Sequence, residues 1–156
     1  MFRLAVLTLA LTLALPVAAM ACRTPGDLAE IQADLIRAIN AQRQNAGLAA
    51  LVPSDALMTA AERHACDNAG HNHMSHVGSD GSKLGTRIDR VGYVYGKANE
   101  NVGYGYARVA DMVQGWMQSQ GHRRNILERG TREIGVGIAT GRDGRPYWVM
   151  VSAVAR

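Results

Sequence analysis

Glu133-Ile134-Gly135-Val136-Gly137-Ile138-Ala139 and Tyr147-Trp148-Val149-Met150-Val151-Ser152-Ala153-Val154, joined through Arg142-Asp143-Gly144-Arg145, decide the fold. Ile134, Val136 and Ile138 alternate with Gly135, Gly137 and Ala139, which is the period of a strand. The second run is apolar for most of its length. The Asp143-Gly144 pair between them is a strong hairpin signal, because glycine accepts the positive φ of a tight turn. Upstream the period becomes helical. Val109, Met112, Val113, Trp116 and Met117 fall at i, i+3, i+4, i+7 and i+8, one apolar stripe on a helix expected to end near Gly121. Leu28, Ile31, Leu35 and Ile39 form another stripe, opened by Pro25-Gly26-Asp27 with Asp27 as cap and stopped by Gly47. A further helix starts at Ser54 or Asp55, runs through Leu57, Ala60, Ala61 and Ala65, and fades between Asn68 and Gly70. His71 to Gly81 is polar and glycine-containing, hence a loop. A short helix over Lys83 to Val91 and a strand over Asn99 to Gly105 complete the pattern. Helices come first and strands late, an α+β order that predicts helices packed on an antiparallel sheet.

The N-terminus has a different character. After Met1-Phe2-Arg3, residues Leu4 to Ala18 carry no charge, and Ala19-Met20-Ala21 follows as the small-x-small pattern cut by signal peptidase. Residues 1–21 therefore read as a signal peptide, since the apolar run falls short of the about 20 residues that cross a bilayer. Cys22, directly after Ala21, leaves open a lipoprotein, although lipid attachment usually wants Leu near the position of Ala19. Of the 156 residues, 22–156 would remain as one domain, with no repeat, low-complexity tract or linker to divide it. One arginine leaves with the leader, taking the formal charge from +4 to +3. A mixed, weakly basic chain of this kind does not imply nucleic acid, though it permits weak attraction to anionic surfaces. An oxidising compartment would let the two cysteines, Cys22 and Cys66, pair and tie down the new N-terminus. The alternative is a buried free Cys66 beside a lipidated Cys22.

Three stretches stand out chemically. His71-Asn72-His73-Met74-Ser75-His76 places three imidazoles on one loop, Asn99-Glu100-Asn101-Val102 puts a carboxylate on a strand, and His122 lies just past the expected end of the Trp116 helix. Singly, each has an ordinary explanation. Loop histidines are commonly just solvated, Glu100 alone suits a surface charge, and a histidine at a helix C-terminus gains about 0.3–1 kcal/mol from the dipole when protonated.

In combination and in this order the stretches resemble the CAP superfamily of cysteine-rich secretory proteins, antigen 5 and plant pathogenesis-related group 1 proteins, in a short bacterial form. The motifs that carry the resemblance are Ile39-Asn40-x-x-Arg43-x-x-x-Gly47-Leu48, Ser75-His76-x-Gly78, Asn99-Glu100-Asn101-Val102, Trp116-x-x-Ser119-x-Gly121-His122-Arg123-x-Asn125-Ile126-Leu127 and Glu133-Ile134-Gly135-Val136-Gly137. The resemblance implies an α-β-α sandwich around a central antiparallel sheet, with an open cleft lined in many members by two histidines and two glutamates. The first histidine falls on His76, the first glutamate on Glu100 and the second histidine on His122. Where the eukaryotic pattern has its second glutamate, this chain has Ser119, and Glu133 is a further carboxylate with no assigned place in the cleft. His71 and His73 lie outside the pattern.

The resemblance also implies that His76 and His122 can hold Zn²⁺. Two imidazoles fall short of the three protein ligands usual in a catalytic zinc centre, so a weakly held ion is expected. Glu100 would serve either as a third ligand or by orienting an imidazole from behind. The expected function is a secreted module binding a lipid, sterol or peptide. An extracellular hydrolase in which zinc or Glu100 activates water is the alternative. A serine hydrolase pairing Ser119 with His122 is a third reading, without the glycine pattern of a nucleophile elbow.

Overall fold

The computed structural model describes residues 22–156, so the leader expected over residues 1–21 lies outside the described residues. Among the described residues nine elements follow in order: α1 (Leu28–Asn45), β1 (Val52–Pro53), α2 (Asp55–His71), α3 (Leu84–Asp89), β2 (Tyr95–Tyr104), α4 (Val109–Gln118), α5 (Gln120–Ile126), β3 (Glu133–Thr140) and β4 (Pro146–Ala155). The strands form one sheet in the order β1-β3-β4-β2. β2 and β3 both run antiparallel to β4, while β1 adds a two-residue parallel rung beside Glu133 and Ile134. The hairpin expected at Asp143-Gly144 is the β3–β4 connection, with Gly144 at φ 79°.

The alternation in the strands sorts side chains into two layers. Ile134, Val136 and Ile138 of β3 and Trp148 and Met150 of β4 pack with Leu35 and Ile39 of α1 and with Met112, Val113 and Trp116 of α4. Tyr147, Val149, Val151 and Ala153 of β4 pack on the opposite face against Leu57, Ala61, Ala65 and Ala69 of α2. The sheet thus sits between helical layers, the α-β-α sandwich that the resemblance implied. Gly135 and Gly137 explain how closely α2 lies: a Cβ on either would run into its backbone, at Leu57 and Ala61 respectively.

Polar motif residues brace this frame. Asn40 satisfies both backbone groups of Leu51, donating to its carbonyl at 3.0 Å and accepting from its N–H at 2.8 Å. Arg43, buried on α1, donates to the carbonyls of Ala49, Ile126 and Glu128. Gly47 follows at φ 68°, ending the helix as its sequence position suggested.

The helix expected to run from Val109 to near Gly121 instead breaks at Ser119, whose extended backbone (φ −87°, ψ 122°) divides α4 from α5. His122 is consequently inside a second short helix and not beyond the end of the first. A C-terminal helix dipole therefore does not account for its position, because in the first turn of a helix the dipole opposes a positive charge.

Candidate functional site

Among the described residues β2 lies at one end of the sheet and pairs only with β4. Gly105 N–H bonds to the carbonyl of Pro146, so odd-numbered residues of β2 direct their backbone groups to β4 and even-numbered residues direct theirs outward. Two of those outward carbonyls are met by side chains: Glu100 O accepts from Asn125 Nδ2 at 3.0 Å, and Val102 O accepts from Trp116 Nε1 at 3.0 Å. Asn101 completes the link to α5 by donating to the carbonyl of His122 at 3.0 Å and accepting from Asn125 at 2.9 Å. Asn101 and Asn125 thus tie the backbone that carries His122 to the strand that carries Glu100.

The Glu100 side chain points to the α2 side and is 4% exposed. Its Oε1 accepts from His76 Nδ1 at 2.8 Å, and its Oε2 accepts from Arg87 Nη2 at 2.6 Å. Arg87 is itself anchored, donating to the carbonyls of His76 at 3.1 Å and Ser82 at 2.8 Å. A third buried group, His64 on α2, brings Nε2 within 3.9 Å of Glu100 Oε2. With Nδ1 donating to the carboxylate, His76 is left with Nε2 facing outward from a side chain 56% exposed. The resulting cleft, of about 370 Å³, runs between the His76 loop and Asn125, with Lys83, Leu84 and Ala98 among its walls.

The imidazoles around Glu100 and α5 differ in their hold on a proton. The hydrogen bond to Glu100 raises the His76 imidazole above its ordinary value, against the smaller effect of burial. His122 is lowered, first by burial and then by the positive charge of His76. His64 is lowered chiefly by burial. One imidazole that favours its proton therefore stands near another that resists one.

Of the residues singled out in sequence, the structure ties His76 to Glu100 directly and sets His122 near enough to feel the charge of His76. His71 bonds back to Asp67 of α2, and His73 is exposed. Glu133 opens β3 beside Tyr93, whose hydroxyl is pushed up to about 12 by burial and then by that carboxylate. Ser119 makes no hydrogen bond with His122 among the described residues. As for zinc, no group of three or more His, Cys, Asp or Glu side chains suited to a metal occurs among the described residues. Each oxygen of Glu100 already accepts one hydrogen bond, and the one from His76 Nδ1 fixes how that ring is turned.

Arg87 and His64 were not visible as site residues. His64 did leave a trace, because it lies with Asn68 on the stripe of Leu57, Ala60, Ala61 and Ala65, where buried polar side chains require partners. Arg87, next to buried Ile88 in a six-residue helix, left no periodic signal.

An α+β sandwich with a histidine–carboxylate cleft across the outer strand defines the class. The model of the cysteine-rich secretory protein family, CAP, matches residues 36–152, and the chain belongs to that family. It is 29% identical over 113 residues to YkwD of Bacillus subtilis (strain 168), covering 72% of this chain and 44% of that one. It is 31% identical over 99 residues to the membrane protein YlbC of the same organism, covering 64% and 29%. The chain thus spans less than half the length of these relatives. Among solved structures, an outer surface protein from Borrelia burgdorferi superposes with a TM-score of 0.74 at 19% identity, over 80% of this chain and 92% of that one. An extracellular protein containing an SCP domain from Bacillus anthracis (strain Ames) superposes with a TM-score of 0.73 at 24% identity, over 81% and 41%. Both likenesses concern the fold. Among the described residues, no helix is long and apolar enough to cross a membrane.

Proposed function

We propose that this chain is an exported binding protein whose cleft over β2 takes a small lipid, sterol or peptide, with zinc held weakly by His76 and His122. The observation that carries this reading is the state of Glu100. A general base must be reachable by water, whereas the Glu100 side chain is 4% exposed and each of its oxygens already accepts a hydrogen bond, one from His76 and one from Arg87. Glu100 is better suited to holding the His76 ring in one orientation, with Nε2 outward, than to activating water. A metal ion on that nitrogen would supply a fixed positive charge to a ligand's anionic group. Val77, Leu84 and Ala98 give the trough an apolar side for the rest of such a ligand.

Export is supported by the leader pattern of residues 1–21 and by Cys22 and Cys66, which sit at disulfide distance with Cα atoms 5.3 Å apart. A sulfur joined to Cys66 is not free to carry lipid, which favours a soluble product over a lipoprotein. The names of the Borrelia and Bacillus anthracis proteins place those chains outside the cell, in line with this reading.

The test combines native mass spectrometry of protein recovered from the growth medium with zinc titration calorimetry. A co-purifying ligand is expected, along with weak zinc binding that His76→Ala or His122→Ala abolishes. Glu100→Gln should weaken zinc about 10- to 100-fold through loss of ring orientation. His71→Ala and His73→Ala should leave it unchanged. Zinc binding that persists in His122→Ala but disappears in His71→Ala would move the metal to the loop and overturn the assignment.

A further inference from the structure

The outer edge of β2 is covered along only part of its length. Asn125 stands against the carbonyl of Glu100 and Trp116 against that of Val102, so α5 and α4 occupy the edge from the Glu100 carbonyl onward. Upstream of that point the edge is bare. Ala98 follows the register shift between Tyr95 and Lys97, and its N–H and C=O point away from β4. Among the described residues neither group has a hydrogen-bond partner, and neither has the N–H of Glu100. Ala98, Asn99 and Glu100 line the His76 cleft, together with Val77 and Leu84 and with Asn125 of α5. Gly96, at the upstream end, is exposed.

Donor, acceptor and donor in strand geometry are matched by another extended backbone. In a parallel pairing, one ligand carbonyl accepts from the Ala98 N–H. Two residues further on, the ligand N–H donates to the Ala98 carbonyl and the same residue's carbonyl accepts from the Glu100 N–H. The next bond would need the Glu100 carbonyl, which Asn125 already holds, so an incoming chain has to end there. Charge decides which end it presents. Lys83, on the cleft wall, has no ion pair among the described residues, while the charge of Glu100 is taken up by Arg87. A terminal carboxylate is attracted to this end of the trough. An antiparallel chain would bring its α-ammonium to the same end and be repelled.

We propose that the cleft binds the C-terminal residues of an extended peptide, laid parallel to the bare stretch of β2, its free carboxylate received by the Glu100 N–H and the Lys83 ammonium. This rests on the reading that the cleft over β2 takes a small ligand, and it selects peptide from the classes named there. Three hydrogen bonds suit a chain end and are too few to template a growing sheet.

Acetyl-Ala-Ala-Ala with a free carboxylate serves as the probe, in metal-free buffer. Two controls each remove one element: the same peptide capped as its C-terminal amide, and the peptide N-methylated at its last residue. Octanoate is the lipid-like comparison. Proton–nitrogen NMR of the disulfide-bonded protein is expected to show saturable downfield shifts of the Ala98 and Glu100 amide protons, at millimolar concentrations suited to so small a ligand. Each control should bind at least about tenfold more weakly than the probe. Lys83→Gln, at an exposed position, should weaken the free acid about two- to fivefold, the range for an exposed ion pair, and leave the amide-capped peptide unchanged. Equal binding of the free acid and the N-methylated peptide would overturn the proposal. So would octanoate shifting Val77 and Leu84 while the peptide leaves Ala98 and Glu100 unmoved, a result that keeps the cleft as a lipid site. No response to either probe would overturn the proposal and the cleft reading together.

Discussion

Arg87 Nη2 donates to Glu100 Oε2 at 2.6 Å, and the two side chains are 8% and 4% exposed. The pair joins α3 to β2 behind the cleft. Its other carboxylate oxygen, Oε1, holds His76, so one buried charge sets both the position of the loop histidine and its affinity for a proton.

Replacing that charge should separate the two effects. Glu100→Gln is expected to lower stability by about 3 kcal/mol, the low end for breaking a buried pair, because the amide oxygen still accepts from one donor. In the same variant the His76 titration, followed by NMR, should fall from its raised position toward the ordinary 6.5. A His76 titration unchanged by Glu100→Gln would show that the carboxylate does not hold the ring.

Stability should respond to acid through histidines of opposite sign. His76 is raised, so its contribution is complete below about 6.5 and is lost as pH climbs through its folded value. His64 and His122 are lowered, so the unfolded chain takes up their protons first, and stability falls as pH drops below about 6.5 toward their folded values. His64 is the more deeply enclosed, and His64→Gln should flatten the acid limb in urea-melt midpoints measured at successive pH values. An acid limb of unchanged slope in that variant would assign the loss to other groups.

The close seating of α2 on β3 gives a test of packing. Gly135→Ala or Gly137→Ala sets a methyl group against the backbone of Leu57 or Ala61, which no rotamer change can relieve. A loss of about 1–3 kcal/mol or more is expected in chemical denaturation. Melting curves matching the parent protein would mean that α2 stands farther from the sheet.

Cys22 and Cys66 are 44 positions apart. Closing a span of that length stabilises by up to roughly 4 kcal/mol in the chain-entropy picture. Intact mass of the exported protein should correspond to a chain beginning at Cys22 and lacking two hydrogens, and reduction should lower the melting temperature. An added acyl mass or a titratable Cys66 thiol in that material would rule out the pairing.

Most of the frame was legible because it follows from periodicity. The stripes of α1 and α4 became buried core at Leu35, Ile39, Met112 and Trp116, and the glycine alternation of β3 became the seat of α2. His76, Glu100 and His122 were legible through family motifs alone. The break at Ser119 was hidden because nothing at that residue forbids a helix, and the split comes from α5 being held by bonds to Asn101 and Arg43. β1 was hidden because two residues have no period. Arg87 and His64 were hidden because a buried charge is recognised by its partner, and the partner here comes from another element.

The outer strand has one more consequence. A bare strand edge invites a second chain to hydrogen-bond alongside it, and sheets can grow from molecule to molecule in this way. Trp116 and Asn125 already occupy the outward carbonyls of Val102 and Glu100, while at the far end of the sheet β1 stops after two residues and ends in Pro53. Both borders are therefore poor templates for polymerisation. The residues that draw attention as core anchor and cleft wall also keep neighbouring copies of the protein from zipping together, a safeguard for a chain proposed to work outside the reach of intracellular chaperones.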